Sequence, residues 1–278
     1  MRTPLPDCPT LKLEGLNGVL RVTLNRPATR NALSDDVVRD LSALATALQV
    51  DQEIRVVVLR GSEGNFCAGG NIESFRTLAL LPDAGAADPL IESNLAFGHL
   101  MLRWSTIPQV LIALVEGAAF GGGLGLLCVA DLVLATRTAS FAVSEARIGV
   151  VPAQIAPFLV GRVGESATRA AALTGRRFDG SAAAAIGLVH ELYNDQAELD
   201  AAGDRLIADI LRCAPSAIAS TKALLTHISQ QPTEALLVHA ATTFANAARG
   251  ADGQEGVAAF LEKRSPAWSI ASAARGQA

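Results

Sequence analysis

The first apolar runs of the chain predict a β-hairpin followed by buried strands. Leu11 to Glu14 and Val19 to Asn25 favour strands, and Asn17-Gly18 between them is a strong signal for a two-residue turn. Ile54 to Leu59 and Val110 to Val115 are uninterrupted aliphatic runs, which are typical of strands buried on both faces. The chain therefore opens with a hairpin and continues into a buried sheet.

Helical patterns alternate with these strands. Ser34 is placed as an N-cap, Asp35 and Asp36 suit the first helical turn, and apolar positions then recur at helical spacing as far as Leu48. Because further short strands separate later helical stretches, residues 11–197 are predicted to form an α/β core of repeated β-β-α units. Those strands are predicted at Leu132 to Ala135, Ser140 to Val143 and Leu188 to Glu191.

The pattern changes in the C-terminal third of the chain. Strand signals stop near Glu198, so residues 198–278 are predicted to be helical, with Pro215 and Pro232 at helix starts. Residues 1–10 are proline-rich and are predicted to be a flexible N-terminus. Leu81 to Pro89, rich in Ala, Asp, Pro and Gly, is predicted to be a mobile loop.

Composition narrows the class of protein. A chain of 278 residues with half its residues apolar can bury one sizeable core, and a net charge of −4 with scattered Lys and Arg does not favour nucleic-acid binding. No apolar stretch reaches bilayer length, and no signal peptide is evident, so a cytoplasmic protein is expected. The cysteines form no C-x-x-C pair, so reduced thiols are expected, and neither cysteines nor histidines show the spacing of metal ligands, so no metal is expected. These residues are Cys8, Cys67, Cys128, Cys213, His99, His190, His227 and His239.

Two glycine-rich segments each join a buried strand to a helical stretch. They are Phe66 to Ile72 and Gly117 to Gly125. Backbone N–H groups at such junctions are unpaired, so two such segments side by side could bind one oxyanion. Alternatively, the glycines simply close tight turns. A dinucleotide cradle is excluded, because Leu126 stands where G-x-G-x-x-G needs its third glycine.

Glu145 lies in the otherwise apolar stretch Ser140 to Val151, where a carboxylate is costly to desolvate unless it is paired or catalytic. The alternative explanation is that Glu145 is partly exposed or forms an ion pair, for example with Arg147. Cys67, inside the first glycine-rich segment, is expected to be a packed thiol, because no histidine lies near it in sequence to activate a nucleophile.

Five segments resemble, in order and spacing, motifs of the enoyl-CoA hydratase/isomerase (crotonase) superfamily over nearly the whole chain. Two departures are visible: Gly125 stands where family hydratases carry the first of two glutamates, and Asn71 replaces the usual aspartate. The five segments are Asn25 to Leu33, Phe66 to Ile72, Gly117 to Gly123, Phe141 to Pro152 and Phe260 to Pro266.

The resemblance implies a crotonase-like spiral of β-β-α units and assigns roles by position. The backbone N–H groups of Gly70 and Gly122 would form an oxyanion hole for a thioester carbonyl, and Glu145 would transfer protons. Coenzyme A would enter as part of the substrate, with no separate cofactor, and the helical region would assemble a homotrimer or a dimer of trimers. The substrate path would be lined by Arg26, Arg30, Ala32, Ala68, Asn71, Ile72, Phe120, Gly121, Gly125, Pro152, Phe260 and Lys263.

The resemblance favours hydration of a 2-enoyl-CoA thioester. Gly121 to Gly125 and Val151 to Pro157 most closely resemble bacterial hydratases of branched glutaconyl-CoA esters, such as 3-methylglutaconyl-CoA and isohexenylglutaconyl-CoA. The distal carboxylate of such a substrate is expected to fit the space vacated at Gly125. Two alternatives stay open: an enoyl-CoA isomerase that uses the single Glu145, and a non-catalytic CoA-binding homologue.

Overall fold

The computed structural model describes residues 4–82, 85, 88–227 and 233–269. Its nine strands form a six-stranded sheet in the order β1-β2-β3-β4-β6-β9 and a three-stranded sheet in the order β5-β7-β8. In chain order the strands are β1 (Leu11–Leu16), β2 (Val19–Leu24), β3 (Val56–Gly61), β4 (Val110–Val115), β5 (Ala118–Phe120), β6 (Leu132–Thr136), β7 (Ser140–Ala142), β8 (Phe178–Asp179) and β9 (Glu191–Tyr193).

Ten α-helices lie around these sheets in the described residues. None in the described part of the chain is long and apolar enough to cross a membrane. They are α1 (Asp35–Leu48), α2 (Ile72–Ala79), α3 (Pro89–Ser105), α4 (Gly122–Cys128), α5 (Ala156–Thr174), α6 (Gly180–Ala185), α7 (Gln196–Leu211), α8 (Pro215–His227), α9 (Thr233–Arg249) and α10 (Ala251–Leu261).

The predicted β-β-α repeat is confirmed. In two successive units, β4-β5-α4 and β6-β7-α5, the first strand joins the large sheet and the second joins the small one. The β4–β6 and β5–β7 pairings are both parallel, so each unit repeats the direction of the unit before it. In each unit the chain therefore leaves the large sheet after its first strand and continues towards the small sheet. Both glycine-rich segments follow a strand of the large sheet in this way.

Local signals explain the first elements. Asn17 and Gly18 have φ values of 52° and 79°, the left-handed conformations that a tight hairpin turn requires, and β1 pairs antiparallel with β2 around them. Ser34 caps α1 as predicted, since its side chain accepts a hydrogen bond from the Val37 N–H at 3.4 Å.

The large sheet is buried on both faces, as the aliphatic runs predicted. Alternate residues of β3 and β4 belong to two different apolar clusters, because successive side chains of a strand point to opposite faces. Val57 and Leu111 pack in the larger cluster with the side chains of α1 and α3. Val58 and Ile112 pack in the smaller cluster against α7.

Two predicted boundaries are wrong. The predicted strand from Leu188 begins only at Glu191, because Leu188 is buried in the turn that precedes β9. The predicted flexible N-terminus does not extend to residue 10. Thr10 is buried and donates to Asp40 Oδ2 from its backbone N–H at 3.0 Å and from its hydroxyl at 2.7 Å, and Cys8 is buried beside it.

The C-terminal third is helical, but α7 belongs to the core layer instead of a separate region. Pro215 begins α8 as predicted, whereas Pro232 lies outside the described residues, as do four residues of the predicted loop at 81–89. Helix α8 is attached to the sheet by Lys222, whose Nζ donates to Asp131 Oδ2 at 2.6 Å and to the Gln109 carbonyl at 2.8 Å. Burial lowers the pKa of Lys222, and the charge of Asp131 opposes that shift.

Replacing Lys222 by Ala should lower the free energy of unfolding by roughly 2 kcal/mol, because the change removes the cation beside a partly buried carboxylate and the side-chain donor to the Gln109 carbonyl. Asp131 Oδ2 would keep only its hydrogen bond from the Leu111 N–H. Urea unfolding followed by circular dichroism would measure the loss. Lys12→Ala is the matched control, since Lys12 pairs with Glu14 at the surface and both side chains are more than half exposed. The control should change stability by less than about 0.5 kcal/mol, and equal losses in both variants would contradict the assigned role of Lys222.

Candidate active site

The two glycine-rich segments lie side by side, joined through Cys67. The Cys67 N–H donates to the Ala118 carbonyl at 2.8 Å, and the Phe120 N–H donates to the Cys67 carbonyl at 3.0 Å. Gly69 has a φ of 100°, and a Cβ at that position would come within 3.0 Å of the Phe120 carbonyl oxygen. Glycine at this position therefore allows the two backbones to approach closely.

The backbone N–H groups of Gly70 and Gly122 have no hydrogen-bond partner among the described residues. Gly122 is the first residue of α4, so its N–H has no acceptor inside the helix. On either side of Gly70, the Leu33 N–H donates to the Gly69 carbonyl and the Asn71 N–H donates to the Leu33 carbonyl. The Gly70 N–H itself takes no part in this pairing. Both glycines line the same cavity, so two unpaired donors are present at its wall.

That cavity has a volume of about 250 Å³ and lies between the glycine-rich segments, α2, α3 and residues 144–155. Its wall is mainly apolar, and no Lys, Arg or His is among the described residues that form it. Such a lining suits an acyl chain. The larger apolar side chains include Leu33, Phe75, Leu78, Phe97, Ile148 and Ile155.

Glu145 begins a short 3-10 helix after β7, and its carboxyl group lies against the second glycine-rich segment. A Cβ on Gly121 would be 3.0 Å from Glu145 Oε1, and Oε2 is buried with no hydrogen-bond partner. Desolvation raises the pKa of Glu145, while the nearby backbone N–H groups of Glu145 and Ser144 act in the lowering direction. A carboxylate with a raised pKa and a free oxygen is suited to proton transfer.

The ion-pair explanation for Glu145 is wrong. No salt bridge joins it to Arg147 in the described structure. The Arg147 side chain lies instead against Gly175, where a Cβ would meet its Cγ at 2.9 Å. The thiol interpretation of Cys67 is confirmed, because the side chain is fully buried and desolvation raises its pKa to about 12. The thiol therefore stays protonated at neutral pH.

Asn71 is the N-cap of α2. Its Oδ1 accepts hydrogen bonds from the N–H groups of Glu73 at 3.0 Å and Ser74 at 3.4 Å, which starts α2 at the edge of the cavity. Eight of the sequence-predicted site residues line the cavity: Gly70, Gly122, Glu145, Ala68, Asn71, Ile72, Gly121 and Pro152.

The other predicted site residues lie away from the cavity wall. Phe120 lies under the guanidinium of Arg177, 4.9 Å from the ring centre, and Phe260 is 83% exposed on α10. Contact of these outer residues with coenzyme A stays a prediction. The residues outside the cavity wall are Arg26, Arg30, Ala32, Phe120, Gly125, Phe260 and Lys263.

The prediction that a substrate carboxylate fills the space beside Gly125 is wrong. Gly125 is buried in α4, and a Cβ on it would lie 2.5 Å from Ile155 Cγ2 and 3.4 Å from Met101 Cε. Ile155 already occupies the place of a side chain at position 125. Gly125 is needed for packing and leaves no vacancy.

Sequence reasoning missed the contribution of α3 to the cavity. Asn94 and Phe97 of this helix line it, and the Phe97 ring would be 3.2 Å from a Cβ on Gly122. The available signal was Gly98, since a glycine inside a helical stretch often marks a close approach of another group. That group is Gln154, whose side chain also lines the cavity.

Comparisons with known proteins agree with this geometry. The sequence profile of the enoyl-CoA hydratase/isomerase family matches residues 14–270. The solved structure of Pseudomonas aeruginosa AtuE is similar, with a TM-score of 0.90 and 46% identity over 94% of this chain and 99% of that chain. Enoyl-CoA hydratase AFT6-1 of Alternaria alternata is 33% identical over 74% of this chain and 66% of its own length. The 1,2-epoxyphenylacetyl-CoA isomerase of Escherichia coli is 28% identical over 90% of this chain and 94% of its own.

The chain belongs to the enoyl-CoA hydratase/isomerase family, and its α/β fold with a helical C-terminal region is the crotonase fold. Relatives named as hydratases and as isomerases both match, so membership of the family leaves the choice between these two reactions to the chemistry of the site.

Replacing Gly125 by Ala should destabilise the protein by about 1–3 kcal/mol, because the new methyl group overlaps Ile155. The matched control is Gly161→Ala in α5, where a Cβ meets nothing within 4 Å. This control should be neutral or gain up to about 1 kcal/mol from improved helix propensity. Thermal and urea unfolding would measure both changes.

The Gly125→Ala cost should shrink in an Ile155→Ala background, since the overlapping methyl group is then absent. An undiminished cost in the double variant would show that Ile155 is not the reason for the glycine.

Proposed function

We propose that the protein is an enoyl-CoA hydratase that adds water across the double bond of a 2-enoyl-CoA thioester. One observation carries the proposal. The unpaired N–H groups of Gly70 and Gly122 line the same cavity as Glu145, whose buried Oε2 has no hydrogen-bond partner. Donors for a developing oxyanion and a group that transfers protons are the two requirements of this reaction.

In the proposed reaction the thioester oxygen accepts hydrogen bonds from both glycine N–H groups. The oxygen of a water molecule bonds to C3 while Glu145 takes a proton from that water, and the electron pair of the double bond moves onto the thioester oxygen as an enolate. The enolate then collapses as C2 takes the proton back from Glu145. Each N–H donor would contribute about 3–4 kcal/mol to stabilisation of the enolate.

The isomerase is the second candidate, and the lack of a second glutamate at Gly125 favours it. Glu145 alone could remove a proton from C2 of a 3-enoyl thioester and return it to C4, with a dienolate between the two steps whose oxygen accepts hydrogen bonds from the same two N–H groups. A non-catalytic homologue is disfavoured, because an unpaired carboxylate oxygen and two unpaired donors would serve no structural purpose in one cavity.

For the acyl group we propose a branched glutaconyl type, in keeping with the resemblance of residues 121–125 and 151–157 to hydratases of such esters. The mainly apolar wall suits the hydrocarbon part of the chain. Arg26, Arg30, Ala32, Phe260 and Lys263 are proposed to contact the coenzyme A portion outside the cavity.

A homotrimer or dimer of trimers is proposed as the assembly. The last helices expose large apolar side chains that water does not favour: Phe244 is 76% exposed, Phe260 83% and Leu261 73%. Contact between copies of the chain through these helices would bury them.

A panel of enoyl-CoA esters tests the reaction and the substrate together. Loss of the conjugated enoyl absorbance on 3-methylglutaconyl-CoA, at least tenfold faster than on crotonyl-CoA, is expected. Gain of that absorbance from a 3-enoyl-CoA, without loss from any 2-enoyl-CoA, would establish the isomerase. A clear preference for crotonyl-CoA would overturn the glutaconyl assignment.

Replacing Glu145 by Gln should lower kcat by at least about 100-fold and leave CoA thioester binding nearly unchanged, because only proton transfer is removed. The matched control is Glu165→Gln, an exposed residue of α5 far from the cavity wall. Stopped-flow turnover and calorimetric binding would measure the two effects, and turnover within a few-fold of wild type would show that Glu145 is not the proton-transfer group.

The wild-type kcat/KM should fall at acid pH with an apparent pKa above that of an ordinary glutamate, since Glu145 must be ionised to accept a proton and desolvation raises its pKa. A folded-state pKa above the unfolded value means that ionisation opposes folding as pH rises through that pKa. The Gln variant should therefore be at least as stable as wild type at pH 7, and relatively less so at pH 4. Unfolding at both values would check the sign.

A further inference from the structure

Two carboxamide side chains bridge the cavity at the side formed by α3 and the segment before α5. Gln154 Nε2 donates to Asn94 Oδ1 at 2.8 Å, and both residues line the cavity. Asn94 belongs to α3, whereas Gln154 precedes α5, so the bond joins two separate walls. Neither side chain has a role in the proposed proton transfer.

Helix α3 has a glycine, Gly98, where it contacts the side chain of Gln154. A Cβ on Gly98 would lie 2.0 Å from Gln154 Oε1 and 2.9 Å from its Cδ, so any larger residue at position 98 would displace the carboxamide. Glycine inside a helix weakens it, and its presence here in the interior of α3 is explained by this contact. Gly98 therefore leaves the room that the carboxamide occupies against α3.

The charges of the cavity restrict how it could hold an acidic substrate. Its acidic side chains are Asp35 and Glu145, and no basic side chain is among the described residues of its wall. A carboxylate on the acyl chain would have to be held by neutral hydrogen-bond donors, and placed where water can still reach it.

The carboxamide pair meets both conditions. The two Nδ2 hydrogens of Asn94 have no partner among the described residues, and Gln154 uses only one of its two Nε2 hydrogens, on Asn94. Asn94 is exposed, so a carboxylate beside it would keep part of its hydration.

The pair also lies close to the reacting end of the cavity. Phe97 and Gly98 follow Asn94 by three and four residues, which places all three on one face of α3. Phe97 packs against Gly122, the proposed oxyanion donor, while Gly98 packs against Gln154. Asn94 and the aromatic residue that contacts Gly122 are thus about one helical turn apart, roughly 5 Å along the axis of α3, which suits a short acyl chain.

We propose that Asn94 and Gln154 form the subsite that binds the terminal carboxylate of a short dicarboxylic acyl thioester. This inference rests on the proposed function and deepens it, since it assigns the residues that select a carboxylated acyl chain over a neutral chain of similar length.

Binding of two saturated thioesters tests the subsite without any turnover. Glutaryl-CoA carries the terminal carboxylate and butyryl-CoA lacks it, and isothermal titration gives the affinity of the intact protein for each. Wild type should bind glutaryl-CoA more tightly. Asn94→Leu and Gln154→Leu should each weaken glutaryl-CoA binding by about tenfold or more and change butyryl-CoA binding by less than about threefold.

Two further variants separate recognition from general damage. Asn94→Asp keeps the size of the side chain but adds a like charge, so glutaryl-CoA binding should fall further than in Asn94→Leu while butyryl-CoA binding persists. Gly98→Ala should displace Gln154 and reproduce the loss without removing it. His99→Gln, on α3 but outside the cavity wall, is the control and should leave both affinities unchanged.

Equal weakening of both thioesters in the leucine variants would overturn the subsite, because the pair would then act only as a link between two walls. No preference of wild type for glutaryl-CoA would overturn it as well. The hydratase proposal is tested separately by turnover. Preference for glutaryl-CoA without hydration of any enoyl-CoA would support the subsite and overturn the hydratase proposal. Hydration without a preference for glutaryl-CoA would support the hydratase and overturn the subsite.

Discussion

The site depends on the backbone hydrogen bonds of Cys67, which pair the two glycine-rich segments. The Cys67 N–H donates to the Ala118 carbonyl, and the Cys67 carbonyl accepts from the Phe120 N–H, so the two segments are held against each other. The Gly70 N–H is left without a partner because Leu33 pairs with the residues on either side of Gly70, and the Gly122 N–H is left without one because Gly122 begins α4. The spiral thus produces unpaired donors from main chain alone, and side chains are left to determine the chemistry.

Much of the fold could be predicted from the sequence because its signals are local. Asn17-Gly18 defines a turn, Ser34 defines a helix start, and the aliphatic run of Val110–Val115 matches β4 in full. The predicted start of a strand at Leu188 is wrong for a related reason. An apolar residue predicts burial, and Leu188 is buried, but hydropathy does not distinguish a buried turn from a strand.

The candidate site was predictable where motifs mark it and hidden where distant segments meet. Gly70, Gly122 and Glu145 lie in motif segments, and all three line the cavity. The contacts of Gly98 with Gln154 and of Gly125 with Ile155 join residues that are 56 and 30 positions apart in sequence. No pattern within a single window reports such contacts, so the emptiness expected at Gly125 could be corrected only by the three-dimensional packing.

The contact between Gly125 and Ile155 also limits the routes by which such a site can change during evolution. A glutamate at position 125 would collide with isoleucine at position 155. A smaller residue must therefore replace Ile155 before a glutamate can be accepted at position 125. A glutamate at position 125 would therefore become compatible with this fold only through that ordered pair of substitutions.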